Sequence, residues 1–161
     1  MSEIIKHRQI VADEWRSVAD DETVGTGPVI VSLARFLAER EALLARGEAL
    51  GVRVPPDVRL DALAGDLPRL ALIAVEFPVF KDGRGFSVAR LLRERYGFHG
   101  EIRAVGDVLR DQLFFMERSG FDAFAVRPGK SLQDALAAFD EFSVTYQAAA
   151  DDPRPLFRRR G

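Results

Sequence analysis

The run Leu70-Ala71-Leu72-Ile73-Ala74-Val75-Glu76-Phe77 decides the fold. It is apolar on both faces of an extended chain, as a central strand of a parallel sheet is when covered above and below. Toward the C-terminus the pattern repeats. Residues 87 to 96 predict a helix with Val88, Leu91 and Leu92 inward, and residues 101 to 105 a strand. Residues 107 to 119 predict a helix with Val108, Leu109, Leu113 and Met116 on one side, closed by Gly120. Residues 121 to 126 read as a strand. Residues 131 to about 146 read as a helix carrying Leu132, Ala135, Leu136, Phe139 and Phe142 at helical spacing.

Toward the N-terminus, residues 51 to 54 are a short strand stopped by Pro55-Pro56, and the stretch 57 to 66 offers one helical turn around Leu60 and Leu63. A helix over residues 34 to 46 places Phe36, Leu37, Leu43 and Leu44 on one face, with Gly47 as its stop. Pro28 opens a β-branched strand, Val29-Ile30-Val31-Ser32-Leu33. Ile4-Ile5-Lys6-His7 and Gln9-Ile10-Val11 suggest an N-terminal hairpin, followed by a polar stretch with Trp15 and a loop rich in Asp and Gly.

Strands alternating with helices over short links predict right-handed βαβ units. The expected class is α/β, a mainly parallel sheet with helices on both faces. An open sheet is favoured over a barrel-like half, because a full eight-fold barrel takes about 250 residues and this chain has 161. One domain is expected over residues 1–150, with a mobile tail at 151–161 whose arginines form a solvated end.

The bulk composition excludes several function classes. There is no cysteine, so thiolate nucleophiles, zinc–thiolate sites and iron–sulfur ligands are ruled out together. A net charge of -2 offers no basic field for nucleic acid or anionic lipid. The N-terminal residues lack a signal-peptide pattern, and no apolar run approaches the roughly 20 residues of a membrane span. The expectation is a cytoplasmic protein without nucleic-acid or membrane partners, and with no cofactor evident.

Ligands of open parallel sheets collect outside the carboxyl ends of the strands. That rule selects three loops. In Asp82-Gly83-Arg84-Gly85, two glycines around an arginine precede a helix start, where backbone N–H groups and the guanidinium would receive an anion. The plainer reading is a turn in which Asp82 caps and Arg84 pairs with an acid. Asp107, after Gly106, is either a helix N-cap or an acid facing the same edge, and a pair with Arg84 or Arg103 would combine both. Arg110 reaches toward that edge from the first helical turns. Gly129-Lys130-Ser131 resembles a phosphate loop, yet the glycine that motif needs falls on Phe124. Ser131 then reads as an N-cap and Lys130 as a surface residue or an edge cation.

Other motifs fail as well. A dinucleotide fingerprint starting at Gly83 would need its third glycine at Val88. His99 lies in a helix-to-strand turn at the opposite edge, and no nucleophile elbow appears. The candidate ligand set is therefore Asp82, Gly83, Arg84, Gly85, Arg103, Asp107, Arg110 and Lys130. The candidate interface set is Phe80, Asp111, Gln112, Phe115 and Arg118, since arginine and aromatic residues favour interfaces.

The block from Glu76 to Phe121 contains Glu-Phe-Pro-Val-Phe-Lys-Asp-Gly-Arg-Gly-Phe-Ser, then Gly-Asp-Val-Leu-Arg-Asp-Gln-Leu-Phe-Phe-Met-Glu-Arg-Ser-Gly-Phe. It resembles the bacterial family called domain of unknown function 934, over most of the chain from about Ile4 to Tyr146. The resemblance implies a role in sulfate assimilation or sulfite reduction, because members are typically encoded beside assimilatory sulfite reductase. It further implies that Phe80, Asp82, Gly83, Arg84, Gly85, Arg93, Arg103, Gly106, Asp107, Arg110, Asp111, Gln112, Arg118 and Gly120 are family-typical positions. A cysteine is the commoner residue where Ser119 stands, so any thiol role would be missing here. The expected function is a non-catalytic accessory partner of sulfite reductase or another sulfur-assimilation protein, with a homodimer possible. The alternative is an enzyme or sensor binding a small anion or phosphorylated cofactor at the Asp82-Gly83-Arg84-Gly85 loop, as a family label of oxidoreductase would suggest.

Overall fold

The computed structural model describes residues 3–77, 84–108, 110–126 and 131–139. Strands β1 (Glu3–Lys6), β2 (Gln9–Ala12) and β3 (Arg16–Ser17) precede β4 (Val29–Ser32), helix α1 (Leu33–Leu44) and β5 (Leu50–Val54). Two 3-10 turns, Leu60–Ala62 and Leu67–Arg69, lead to β6 (Leu72–Phe77) and α2 (Arg84–Glu94). β7 (Glu101–Gly106), a 3-10 turn at Arg110–Gln112, α3 (Leu113–Ser119) and β8 (Ala123–Phe124) follow. Residues 132–139 are helical, here α4.

The eight strands form one sheet in the order β2-β1-β8-β7-β6-β5-β4-β3. From β3 to β8 each strand lies parallel beside its predecessor, while the β1–β2 hairpin adds antiparallel to β8. This order corrects the expectation of helices on both faces. Right-handed crossovers that always step to the next strand deliver every helix to the same side, and a second helical layer would need the strand order to reverse. Phe36 and Leu43 of α1, Val88 and Leu92 of α2, Leu113 and Met116 of α3, and Phe139 of α4 accordingly share one core. They meet alternate sheet residues there, including Val31, Val52, Val54, Ile73, Val75, Ile102 and Phe124.

The sheet is also not open and flat. β2 and β3 stand at its opposite edges, seven strand spacings of about 4.8 Å apart if flat, or roughly 34 Å. Yet only residues 13–15 join Ala12 to Arg16, a reach of about 14 Å. The sheet must curl until its edges approach. Strands lie about 4.8 Å apart and helices about 8–10 Å apart, so the helices need the larger radius and take the convex side. The length argument for an open sheet fails because this curl uses little chain. Two strands are a hairpin, β3 has 2 residues, and the β5–β6 crossover uses 3-10 turns instead of a full helix.

The hairpin is tight. His7 and Arg8 form its turn with φ of 52° and 61°, the left-handed pair of a two-residue connection usually supplied by Asn-Gly. Tertiary contacts hold these less suited residues in place. The His7 N–H donates to the Asp122 carbonyl at 3.0 Å, and Arg8 forks onto the Glu117 carboxylate with contacts of 2.7 to 3.2 Å. The Arg8 guanidinium also lies 5.1 Å from the centre of the Phe139 ring.

Element boundaries differ from expectation most tellingly at α2 and α3. α2 begins at Arg84, not at residue 87, because Gly85 lets its first turn close on the buried Phe77 ring. A Cβ at Gly85 would stand 2.6 Å from that ring. α3 begins at Leu113, not at Asp107. β7 runs on to Gly106, where a φ of 92° turns the chain and the Asp107 N–H donates to the Phe77 carbonyl at 2.7 Å.

Candidate functional site

The carboxyl ends of β5 to β8 gather residues 55–61, the start of α2, residues 107, 108 and 110–112 and Ser131 at one edge, as the parallel pairing requires. Two clefts open there. One, of about 470 Å³, is lined by Val108, Arg110, Asp111, Val126, Ser131 and Asp134, among others. The other, of about 390 Å³, runs along α2 between Arg84, Ser87 and Leu91 on one side and Pro56, Val58 and Asp61 on the other.

The structure thus brings Arg110 and Asp111 together but places Arg84 in the neighbouring cleft. Arg110 is tied to Asp134, with Nε 3.0 Å from a carboxylate oxygen and Nη2 donating to the Asp134 carbonyl at 3.3 Å. Ser131 caps α4 as expected, its hydroxyl accepting the Asp134 N–H at 3.1 Å. Asp107 does not cap α3, whose N-cap is Gln112. Gly85 lies inside the first turn of α2, where smallness and not a left-handed φ is required. Phe80, Asp82, Gly83 and Lys130 lie outside the described residues, as does the expected tail at 151–161.

Arg103 sits elsewhere. It points to the concave face, 3 % exposed, with Nε on Glu101 at 2.8 Å and Nη1 and Nη2 on the Asp13 carboxylate at 3.1 and 3.2 Å. The second oxygen of Glu101 meets the Lys6 ammonium at 3.0 Å. Two charges of each sign meet here, Arg103 and Glu101 buried and Asp13 and Lys6 partly exposed. Beside them Trp15 packs on Ile30, Leu72 and Ala74, so the three-residue strap between β2 and β3 lies against this face. Arg103 is a clasp for that strap.

Arg93 is a second clasp, at the amino ends of β7 and β8. From α2 it donates to the carbonyls of Gly120, Phe98 and Gly100 at 2.8 to 3.0 Å and faces Asp122 at 3.4 Å. Burial pushes the Asp122 carboxyl above the usual carboxylate range, against the opposing pull of the Ile102 N–H and Arg93.

Sequence reasoning missed Lys6, Asp13, Trp15, Arg53, Glu76 and Glu101, all on the concave face. Their signal was charge at alternate positions of strands that otherwise read as apolar: Arg53 in β5, Glu76 in β6, Glu101 and Arg103 in β7. In a sheet with helices on both sides those positions would be apolar.

The interface candidates lie around α3. Phe115 is 46 % exposed and meets Phe114 edge-on with ring centres 5.5 Å apart. Arg118, also exposed, lies 5.8 Å over the Phe114 ring. Asp111 is exposed and Gln112 half-buried one turn earlier.

With this geometry in place, the comparison with known families is direct. The chain belongs to the family described as bacterial protein of unknown function (DUF934), whose model matches residues 51–157, from β5 onward. No curated protein matches the chain. Among the described residues no helix is long and apolar enough to cross a membrane, and no group of three or more His, Cys, Asp or Glu residues is placed to hold a metal ion.

Proposed function

We propose that this protein is a non-catalytic accessory factor of sulfate assimilation and sulfite reduction, docking on sulfite reductase or another sulfur-assimilation protein through the outer face of α3. The pathway rests on the family resemblance of residues 76 to 121. The surface rests on Phe115. Phe115 is 46 % exposed, and aromatic and arginine side chains together are what binding energy concentrates on at protein interfaces. Phe115 and Arg118 lie three residues apart on α3, so a single partner surface would meet both.

The test is genetic first. A strain lacking the protein should grow poorly on sulfate and normally on cysteine. The Phe115→Ala, Arg118→Ala double variant should fail to restore growth while accumulating to wild-type levels. Normal growth of the deletion strain on sulfate would overturn the pathway, and full rescue by the double variant would overturn the surface.

The cleft of about 470 Å³ beside Arg110 favours a second reading, a small-anion or phosphorylated-cofactor site at the carboxyl edge serving an enzyme or sensor. Melting shifts with sulfite, sulfate, phosphate, adenylyl sulfates, flavins or nicotinamide dinucleotides, lost in Arg84→Ala or Arg110→Ala, would move the assignment there. A flat panel would leave docking in place.

A further inference from the structure

The row of residues that crosses the concave face through Ser32, Arg53, Ala74, Arg103 and Ala123 contains two arginines with opposite fates. Arg103 is 3 % exposed and all three of its nitrogens are bonded to Asp13 and Glu101. Arg53 is 33 % exposed and donates only from Nε, to Glu76 Oε2 at 2.7 Å. Its Nη1 and Nη2 make no hydrogen bond to the described residues, and neither does Glu76 Oε1.

The fork itself stays partly in water, its side chain 33 % exposed. Its neighbour toward Arg103 is Ala74, which is buried beside Trp15. Its neighbour on the other side, Ser32, is turned away by its own bonds to Asp20 and the Arg35 N–H. Glu76 lies two residues further toward the carboxyl end of β6, next to Val105 of β7. Trp15 packs over Ile30, Leu72 and Ala74, while Arg53 and Glu76 keep 33 % and 38 % of their side chains exposed, so the unbonded atoms lie toward the carboxyl mouth of the curl. Barrel-like parallel sheets place their ligands at that mouth.

The charge pattern selects the ligand class. Nη1 and Nη2 of arginine receive a carboxylate in two parallel bonds. A plain anion there would also face the Glu76 carboxylate, and a plain cation would face Arg53. A molecule with both charges a few ångströms apart meets both groups with the right sign. We propose that the concave mouth binds a small zwitterion of the α-amino-acid class, its carboxylate on Nη1 and Nη2 of Arg53 and its ammonium on Oε1 of Glu76. Val105 meets the rest of the ligand. The site uses none of the α3 surface, so it stands or falls independently of the docking role.

The probes are the proteinogenic amino acids at millimolar concentration against the full chain, followed by thermal shift and calorimetry, with propionate and ethylamine as single-charge controls. At about 100 times its Kd a ligand of the folded state adds roughly 2.7 kcal/mol, several degrees in Tm. At least one amino acid is expected to give such a shift, with no response to propionate or ethylamine. Arg53→Gln should abolish it, and Glu76→Gln should weaken amino-acid binding and admit propionate. If Arg53→Gln folds poorly, amide shifts of the wild-type protein titrated with the best probe provide the test. They should centre on Arg53, Ala74, Glu76 and Val105. No response to any amino acid, equal response to propionate, a shift surviving in folded Arg53→Gln, or amide changes centred elsewhere would each overturn the proposal.

Discussion

The concave face and the outer face of α3 both carry arginine, and they use it in opposite ways. On the concave face, Arg103 is sealed from water and saturated by Asp13 and Glu101. Its charge holds the strap that closes the curl. On α3, Arg118 lies in solvent over Phe114, beside a phenylalanine exposed to 46 %. The difference teaches where to look for work in a protein without an evident reaction centre: groups the fold fully engages are supports, and groups left exposed or half-engaged are the candidates for binding.

The contrast can be broken most severely at Arg103. Replacing one member of a buried charge set leaves the others uncompensated, at a typical cost of about 3–5 kcal/mol. Arg103→Ala is therefore expected to lose a substantial part of the stability, read as a large drop in the urea midpoint. An Asp13→Ala change should follow it and expose Trp15, visible as a red shift of its fluorescence. An Arg103→Ala loss below about 1 kcal/mol would fit an exposed pair and contradict the clasp.

A smaller loss is expected from Gly85→Ala. Ala is normally the better helix former, but here its Cβ would stand 2.6 Å from the Phe77 ring. Overpacking of that kind costs about 1–3 kcal/mol. A stabilised Gly85→Ala protein would show that Gly85 is present for a ligand and not for Phe77.

Asp122 sharpens the comparison through pH. Burial raises its carboxyl above the usual range, so the folded state holds the proton more tightly than the unfolded chain. Its contribution is then fully present below the unfolded pKa and is lost as pH rises through the folded one. The stability of the wild type relative to Asp122→Asn should decline as pH rises from the ordinary aspartate range upward, in paired urea titrations. A rise over that interval would mean that Arg93 dominates burial.

Much of the chain order was legible. The apolar run ending at Phe77, the helical spacing around Val88 and Leu92, and the hairpin halves Ile4–His7 and Gln9–Val11 all read correctly, because each is decided by neighbours a few residues away. The curl was not legible, because it depends on which strand lies beside which. The decisive clue, a three-residue link between opposite sheet edges, exists only once the strand order is known. Glu76 shows the same limit: one charge at the end of an apolar strand looked incidental until its partner Arg53 appeared across the sheet. At the carboxyl edge, the loops that hold Arg110 and Ser131 were legible as neighbours because the parallel rule places all strand ends together. Arg103 was misassigned because alternation along β7 puts it on the concave face while Gly106 carries the chain to the edge.

At the small end of the stability scale, Phe115→Ala should cost about 1 kcal/mol, the scale of one aromatic pair, while removing the proposed binding anchor. The most direct measurement is sedimentation velocity of the purified protein mixed with purified assimilatory sulfite reductase from the same organism, alongside the Phe115→Ala, Arg118→Ala variant. The account predicts a complex with the wild type and at least a tenfold weaker one with the folded variant. No complex with the wild type, or one of undiminished strength with the variant, would contradict it.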